Sequence, residues 1–512
     1  MPRKKFDIAT AIANLSAYAE QNLDANHLDI IYAHNQLLSL FKLSQPSEPD
    51  NPLPDFQNGI LEPIVKYAIK NKLCKPEEAL LFETKIMGYV MPSPGTVVSA
   101  FDAIAANESV KKATDYLNTL SVKSNYIRMP DIQKNIKWTA PGPKGDLTVT
   151  INLSKPEKDN KQLEKERLLP QTNYPKCKLC IQNIGYAGAL NYPPRQTLRA
   201  IPIYLADEQW YFQFSPYVYF DNHCIALSAE HRPMSITPAT FTRLLDFVDL
   251  FPHYFIGSNA DLPIVGGSIL THDHFQGGSK ILPMLHRPAK KLFHSQAFPN
   301  VGIAILDWYN SVICLTSQNR AELEKVAAYI LHNWRNYSDE GNGIFAKTKE
   351  QHNTVTPIAS YNETAGYTLH LILRNNRTDE THPHGIFHPT EDMHNIKKEG
   401  IGIIEAMGTF ILPGRLYKEI ESVVGILTGK TPLNFAELSD ESHPLYKHVA
   451  MIAQLANDHG TNLDDEAAET AVVNHINSTC FKILQCTAVF KDTETGNNAF
   501  ENYLKKMNFQ QQ

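Results

Sequence analysis

Four features typical of secreted, membrane or nucleic-acid-binding proteins are missing from this sequence. Its 512 residues hold seven scattered cysteines, an odd number that does not suit a disulfide framework. No stretch approaches the roughly 18 uninterrupted apolar residues of a spanning helix, and the N-terminus lacks the apolar core of a secretory signal. The net charge of −6 gives no general field for attracting nucleic acid. We therefore expect a cytoplasmic protein without membrane or nucleic-acid partners. Any phosphate binding must come from local groups, which favours small-molecule phosphates over polymers.

The composition is that of a globular protein with more than one folding unit. Hydrophobic residues make up 43% of the chain and charged residues 20%, both near the globular average. A chain of 512 residues is too long for one hydrophobic core. Apolar residues recur at intervals of three and four in ATAIANLSAYAEQNL and LDIIYAHNQLLSLF, and again beyond Leu416. These patterns predict helical regions at both ends of the chain.

The middle of the chain alternates strand-like and helical patterns twice. The first set has strand-like runs in LRAIPIYL, QWYFQFSPYVYF, HCIALSAEH and IVGGSIL, with PATFTRLLDFVDLFPHYF as one helix among them. The second set has VGIAILDWYNSVICLTS, a helix in AELEKVAAYILHNWRNYS, then YTLHLILRNN and IKKEGIGIIEAMGTFILP. The charged SKPEKDNKQLEKERLLPQ, ahead of the first set, is typical of a connector or surface helix. The repeat predicts a duplicated α+β unit.

The segment IVGGSILTHDHFQGG places two histidines one residue apart, His272 and His274. In an extended strand or tight loop this interval puts both rings on one side, whereas a helix would separate them. Metal binding and nucleophilic catalysis are both possible for such a pair, and structural histidines are the alternative. Neutral imidazole is a nucleophile that can attack phosphorus. The Gln276 amide could donate to a phosphoryl oxygen, and the glycine-rich backbone before His272 allows close approach of a phosphate.

A Cys-x-x-Cys pair, Cys177 and Cys180 in YPKCKLC, is a second chemical signal. Two thiolates with imidazole form a ligand set that suits tetrahedral zinc. The residues alone leave the further ligands open among downstream histidines, and a redox dithiol or two ordinary thiols are alternatives. A thioredoxin-like motif should open a helix directly after a strand, and CKLCIQNIGYAGALNYPP does not have that pattern. The candidate histidines are His223, His231, His253, His272 and His274.

Several blocks in order resemble one known family. GGSILTHDHFQGG, MGYVMPSPGTVV, YPKCKLCIQNIGYAGALNYPPRQTLRAIPI, FSPYVYFDNHCIALSAEHRPM, LILRNN and IKKEGIGIIEAMGTFILPGRL are similar to class II galactose-1-phosphate uridylyltransferases of the histidine triad superfamily. The resemblance implies two histidine-triad-like halves, each an antiparallel sheet with helices. It also implies UMP exchange between UDP-glucose and galactose-1-phosphate through a covalent uridylyl-histidine, as in the Leloir pathway of galactose metabolism. The regions expected are 1–124 (helical), 125–290 and 291–416 (the two halves) and 417–512 (helical).

The resemblance also assigns roles to residues. It implies that His274 is the nucleophile and that Gln276 holds the phosphoryl oxygens. A structural zinc ion, or iron, would be bound by Cys177, Cys180, His231 and His272, with His223 as the competing choice for the third ligand. Substrate contacts are expected from Asn259, Gly267, Ser268, Arg374, Lys397, Lys398 and Glu405, with Arg377 as a further phosphate candidate. A homodimer is expected, with residues of both subunits at each site.

The sequence departs from the class I pattern at several positions. Asp273 stands between the two histidines where class I has proline, and Phe275 follows them. The element corresponding to FHxHFYPP has His370 alone, so a second structural metal is not expected there. The histidines of THPHGIFHPTEDMH are interpreted as a polar loop near the substrate, with ion binding as the alternative: His382, His384, His388 and His394. Two other functions stay open, a histidine-triad nucleotide hydrolase or phosphorylase and a non-catalytic, zinc-stabilised nucleotide-binding protein.

Overall fold

The structure is a computed structural model and describes residues 6–154, 173–267 and 269–512. Nearly all of the charged segment SKPEKDNKQLEKERLLPQ lies outside these ranges, so the expectation of a connector or surface helix stays a prediction. Within the described ranges, every helix is too short or too polar to cross a lipid bilayer.

Helices form both ends of the chain and flank the strands between. Polar side chains start several of them: Asp7 accepts a hydrogen bond from the Thr10 amide at 2.9 Å, and Ser93 accepts one from Thr96 at 3.1 Å. The longer helices are Ile8–Asn22, His27–Leu40, Glu62–Lys70, Ala79–Val90, Pro94–Asn107, Val110–Lys123, Pro238–Leu250, Arg320–Arg335, Leu416–Leu427, Val449–His459, Asp465–Thr487 and Glu494–Lys506. Single turns of α-helix lie at Met129–Ile132, Ile403–Ala406 and Phe435–Leu438.

Most strands belong to one antiparallel sheet of 11 strands. The strands are β1 (Ile136–Ala140), β2 (Leu147–Asn152), β3 (Ile201–Leu205), β4 (Glu208–Phe214), β5 (Cys224–Ser228), β6 (Tyr254–Gly257), β7 (His274–Ser279), β8 (Ala289–His294), β9 (Gly302–Leu306), β10 (Val312–Ser317), β11 (Asn353–Asn362), β12 (Gly366–Asn375), β13 (Thr409–Pro413) and β14 (Gln510–Gln511). The order across the large sheet is β14-β8-β9-β10-β12-β11-β6-β7-β5-β4-β3.

The large sheet consists of two units with the same topology. From the centre outward, one unit runs β6-β7-β5-β4-β3 and the other β11-β12-β10-β9-β8. Each unit has its long helix between its third and fourth strands in chain order, Pro238–Leu250 in the first and Arg320–Arg335 in the second. The units join where β6 pairs with β11, with Gly257 opposite Ile358. The prediction of an α+β fold built from a duplicated antiparallel unit is confirmed, whereas the exact four-region boundaries stay a prediction.

Different helices pack on the two faces of the large sheet. On one face Trp210, Phe275 and Leu371 join the core formed with the long helices of both units and the N-terminal helices. On the other face Ile358 and Ile372 join a second core with a small sheet and the helices Leu416–Leu427, Val449–His459 and Asp465–Thr487. In that small sheet β2 pairs antiparallel with β1 and parallel with β13. Side chains alternate along a strand, so His274 and Gln276 point to this second face, away from Phe275.

Four details of the strand prediction were wrong. The run IVGGSIL is not a strand in its described residues: the chain turns there, with Ile264 at a φ of 72°, and β7 begins only at His274. The helix predicted across PATFTRLLDFVDLFPHYF ends at Leu250, because Pro252 cannot continue it, and β6 follows. Strand β11 was missed. The segment IKKEGIGIIEAMGTFILP supplies a helical turn and β13 of the small sheet, and no strand of the large sheet.

Candidate active site and metal centre

The two predicted metal-binding segments meet at the start of β7. Cys177 and Cys180 lie in a turn before the short helix Ile181–Asn183, and the Cys180 amide donates to the Cys177 carbonyl at 3.2 Å. His231 lies three residues beyond the end of β5, and His272 lies two residues before the start of β7. Because β5 and β7 are hydrogen-bonded neighbours, these strand ends bring the two histidines together, with ring centroids 4.9 Å apart.

The four side chains form a compact group of metal-type ligands. Their ligand atoms all lie within 4.8 Å of one another. The His272 Nδ1 atom is 3.2 Å from the Cys177 sulfur, the His231 Nδ1 atom is 3.1 Å from the Cys180 sulfur, and the sulfurs are 3.5 Å apart. Zinc bonds of about 2.0–2.3 Å in tetrahedral geometry imply ligand separations of about 3.3–3.8 Å. The three contacts of 3.1, 3.2 and 3.5 Å are close to this range, so two thiolates and two imidazoles gathered here suit a tetrahedral metal ion.

The surroundings of the cluster orient its ligands. The His272 Nε2 atom lies 2.9 Å from the Ser228 carbonyl oxygen, so this nitrogen donates and leaves Nδ1 facing the sulfurs. The Asn183 side-chain amide donates to the carbonyls of Cys177 and Cys180 at 2.9 and 2.8 Å. Burial and the nearby Cys180 thiol raise the pKa of Cys177 to about 11. A bound cation would counter this preference for the protonated thiol.

The competing ligand His223 is not part of this cluster. Its Nε2 atom lies 3.1 Å from the side-chain oxygen of Gln276. Of the two histidines left open by the sequence, the structure therefore brings His231 to the cysteines.

His274 is held with one ring nitrogen fixed. Its Nδ1 atom lies 2.8 Å from the His272 carbonyl oxygen, so Nδ1 carries the proton and donates, and the lone pair is left on Nε2. Burial, opposed by this hydrogen bond, lowers the pKa of His274 to about 4. The ring is therefore neutral near pH 7, and Nε2 is available as a nucleophile.

Asp273, between the two histidines, points to the opposite side of the chain from them and contacts Arg232. Its buried carboxylate lies 3.4 Å from the Arg232 guanidinium, and its amide donates to the Arg232 carbonyl at 2.7 Å. Arg232 directly follows His231, so these two contacts link the segments that hold both histidines of the cluster.

Comparison with known proteins identifies the family of the chain. A family model described as galactose-1-phosphate uridyl transferase, N-terminal domain, matches residues 24–233. Relatives named galactose-1-phosphate uridylyltransferase are 46% identical in Caldanaerobacter subterraneus subsp. tengcongensis, over 98% of each chain, and 42% identical in Fusobacterium nucleatum, over 97% of this chain and 98% of the relative. The Bacillus subtilis protein of the same name is 41% identical over 93% of each chain. The chain belongs to the galactose-1-phosphate uridylyltransferase family.

Most of the substrate residues expected for this family converge on the segment 400–405. The Asn259 side-chain oxygen accepts a hydrogen bond from the Ile403 amide at 2.9 Å. A Cβ atom on Gly267 would lie 2.5 Å from the Asn259 amide nitrogen, so glycine permits this close packing. A Cβ atom on Gly257, which pairs with Gln276 across β6 and β7, would lie 2.4 Å from Ile403. The segment therefore covers the strand next to Gln276.

The predicted lysine and glutamate form a buried ion pair in this region. The Lys397 ammonium lies 2.8 Å from a Glu405 carboxylate oxygen, and it also donates to the Ile411 carbonyl at 3.0 Å. Burial opposes the charge on Lys397, but the Glu405 carboxylate raises its pKa above the usual value. Lys398, the other predicted lysine, is exposed.

Arg374 extends from β12 on the same sheet face as His274 and Gln276. One of its terminal nitrogens donates to the Ile401 carbonyl at 2.7 Å, while the other is buried without a hydrogen-bond partner. Burial lowers the pKa of Arg374 to about 10. Arg377, the further candidate, donates instead to the Gly343 carbonyl at 2.9 Å and stacks on Phe345.

Most of the other histidines named in the sequence analysis lie on β12 and in the 382–394 loop. His370 is buried on β12, two residues before Ile372 on the same face, and its Nδ1 atom has no partner. In the 382–394 loop, His384 lies 3.2 Å from Glu391, and its ring centroid is 5.0 Å from that of His394. Within the described ranges, no second cluster of metal-type ligands matches the one around Cys177. Ser268 lies outside the described residues.

Two supporting residues had no role in the sequence predictions. Asn183 occurs three residues after the second cysteine, in CKLCIQN. An asparagine this close to a turn can donate to the carbonyls of the turn, so its position in the sequence is a local signal for this role. The Ser228 carbonyl has no such signal, because a backbone acceptor is defined only by the pairing of β5 with β7.

Proposed function

We propose that the protein is a uridylyltransferase that exchanges UMP between UDP-glucose and galactose-1-phosphate, a step of galactose metabolism. The observation that carries the proposal is the His274 ring: Nδ1 is fixed on the His272 carbonyl at 2.8 Å, and burial keeps the ring neutral with a free lone pair on Nε2. The names of relatives that match nearly the whole chain support the choice of substrates.

In the first half-reaction, His274 Nε2 attacks the α-phosphorus of UDP-glucose. The bond from this phosphorus to the bridging oxygen breaks, and glucose-1-phosphate leaves with the electron pair. The ring gains positive charge as the nitrogen–phosphorus bond forms. The Nδ1 proton stays on the ring and donates to the His272 carbonyl, which stabilises that charge.

In the second half-reaction, a phosphate oxygen of galactose-1-phosphate attacks the same phosphorus. The nitrogen–phosphorus bond breaks, UDP-galactose leaves, and the lone pair returns to Nε2. The Gln276 amide is suited to donate to a non-bridging phosphoryl oxygen in both steps, because it shares the His274 face of β7.

The metal site has a structural role in this proposal. Zinc, with iron as the alternative, would be held by Cys177, Cys180, His231 and His272, and when bound it would fix the strand ends in place. This rigidity sets the position of the His272 carbonyl and hence of the His274 ring. A nucleophile held in position has a lower entropic barrier to attack on the phosphorus.

The hexose phosphate is assigned to the region around segment 400–405. Arg374 has a buried nitrogen free for a phosphate oxygen, and the Lys397–Glu405 ion pair lies in the same region. The Glu405 carboxylate can accept hydrogen bonds from sugar hydroxyls. The family resemblance also supports a homodimer, which sedimentation of the purified protein would test.

Brief exposure of the protein to UDP-glucose alone tests the covalent step. Intact-mass analysis should find one added UMP on the wild-type chain and none on His274→Gly. Added galactose-1-phosphate should then remove the group and yield UDP-galactose. Exchange that proceeds at the normal rate without any trapped adduct would contradict the proposal.

A second measurement separates transfer from hydrolysis. Glucose-1-phosphate should accumulate catalytically only when UDP-glucose and galactose-1-phosphate are both present. Steady release from UDP-glucose alone would instead identify a hydrolase. Free imidazole should restore part of the transfer by His274→Gly, because the deleted group acts only as a nucleophile.

A further inference from the structure

His223 lies beside the reaction site without belonging to the metal cluster. It directly precedes β5, and its side chain is almost fully buried. Its ring stacks on Tyr219, with centroids 5.4 Å apart and planes at 28°, and its other aromatic neighbour, Phe220, is 4.6 Å away. These aromatic contacts leave the ring little freedom to turn.

The surroundings of the two His223 ring nitrogens determine which nitrogen carries the proton. Burial, opposed by the Gln276 contact, lowers the pKa of His223 to about 4, so the ring is neutral and has one N–H group. Its Nε2 atom lies 3.1 Å from the Gln276 oxygen, whereas its Nδ1 atom is buried without a partner. An unsatisfied buried donor is costly. The proton therefore resides on Nε2, and His223 donates to Gln276.

This donation fixes the orientation of the Gln276 amide. A glutamine amide can turn by 180°, which exchanges its acceptor oxygen with its donor NH2 group. With the oxygen bound to His223, the NH2 group is left for other partners. The reverse orientation would present a carbonyl oxygen to an anionic phosphoryl group, which is repulsive.

We propose that His223 is a positioning residue for uridylyl transfer: it holds the Gln276 amide so that the NH2 group is presented to the phosphoryl oxygens. The inference rests on the proposed function, because it requires the Gln276 amide to donate to the phosphoryl oxygens during uridylyl transfer. His223 affects the transfer only through Gln276. It also predicts that His223 is dispensable for metal binding, in contrast to His231.

A double-mutant cycle tests this role. The rate constant for UMP transfer from UDP-glucose to the protein is measured in single turnovers for His223→Phe, Gln276→Ala and the double variant. Phenylalanine keeps a flat ring between Tyr219 and Phe220 but has no donor. We expect His223→Phe to slow transfer about 10-fold or more, by analogy with the loss of a donor to a developing oxyanion. The double variant should be no slower than Gln276→Ala, because the two residues act as one unit.

Two controls separate positioning from damage to the fold. His223→Gln offers an amide donor at a similar reach and should recover most of the rate. The metal content of His223→Phe should equal that of the wild type, while His231→Ala should lose metal. If His223→Phe does not fold, His223→Leu replaces it in the cycle.

The results distinguish failure of this inference from failure of the proposed function. Multiplicative losses in the double variant, no rescue by His223→Gln, or loss of metal from His223→Phe would overturn the positioning role while leaving Gln276 in place. A normal rate for Gln276→Ala would remove the proposed role of Gln276 and the inference with it. Slower transfer in both single variants, with no further slowing in the double variant, would support the role of Gln276 and the positioning role of His223.

Discussion

Replacement of Lys397 by methionine should strongly destabilise the protein. The Lys397 ammonium lies 2.8 Å from Glu405, and the side chains of the pair are only 7% and 11% exposed. Methionine is of similar length but has no charge, so Lys397→Met leaves the Glu405 carboxylate buried without its cation. The Ile411 carbonyl also loses a donor that lies 3.0 Å away.

The expected size of the effect follows from this burial. Breaking a buried ion pair by removing one partner costs about 3–5 kcal/mol, because the remaining charge is uncompensated. The total free energy of unfolding of a folded protein is typically about 5–15 kcal/mol. Lys397→Met should therefore lower the urea midpoint clearly, and the double variant Lys397→Met/Glu405→Gln should recover at least half of the loss, since no unpaired charge remains.

Urea unfolding followed by tryptophan fluorescence is the appropriate assay. The Trp308 indole donates to the Ala406 carbonyl at 2.9 Å, so one of the four tryptophans of the chain contributes a signal from this segment. Lys398→Met is the matched control: the sequence predicts the same role for this neighbouring lysine, but its side chain is exposed, and we expect a change within about 0.5 kcal/mol. Equal stability of the Lys397→Met and Lys398→Met proteins would refute the reasoning.

Three further predictions concern the metal site and the expected substrate contacts. Cys180→Ser should lose metal and folded protein before any specific loss of chemistry, as measured by metal content and thermal unfolding; a folded, metal-replete variant would contradict the assignment. Asn183→Ala removes the two side-chain hydrogen bonds to the carbonyls of the cysteine turn and should weaken metal affinity about 10- to 100-fold in a chelator competition; unchanged affinity would refute this. Gly267→Ala places a Cβ atom 2.5 Å from the Asn259 amide and should lower kcat/KM about 10-fold. Gly95→Ala, whose Cβ atom would have only one neighbour at 4.0 Å, should not, and equal activities would refute the steric argument.

The duplicated topology shows how the two halves of the chain could contribute to the proposed site. Strands β7 and β12 occupy equivalent positions in the two units, each next to its central strand. His274 and Gln276 on β7 and Arg374 on β12 point to the same sheet face because β6 and β11 join the units into one sheet. The first unit thus holds the candidate nucleophile, and the second supplies the cation assigned to the hexose phosphate.

The sequence alone determined those features that depend on short-range patterns. The Cys177 and Cys180 interval and the His272 and His274 alternation pointed to candidate metal ligands and to a histidine pair suited to metal binding or nucleophilic catalysis. The alternation of strand-like and helical patterns indicated the α+β class. Ligand spacing within a turn and side-chain alternation in an extended segment are set by local backbone geometry, so they can be predicted without knowing the fold.

Only the tertiary structure decided which distant residues meet. The choice of His231 over His223 depends on the pairing of β5 with β7, and the difference between Lys397 and Lys398 depends on what buries each side chain. The turn at Ile264 and strand β11 were missed for the same reason: a short apolar run has similar local patterns in a strand, a turn or a helix. Its final conformation is selected by long-range pairing and burial, which no local pattern encodes.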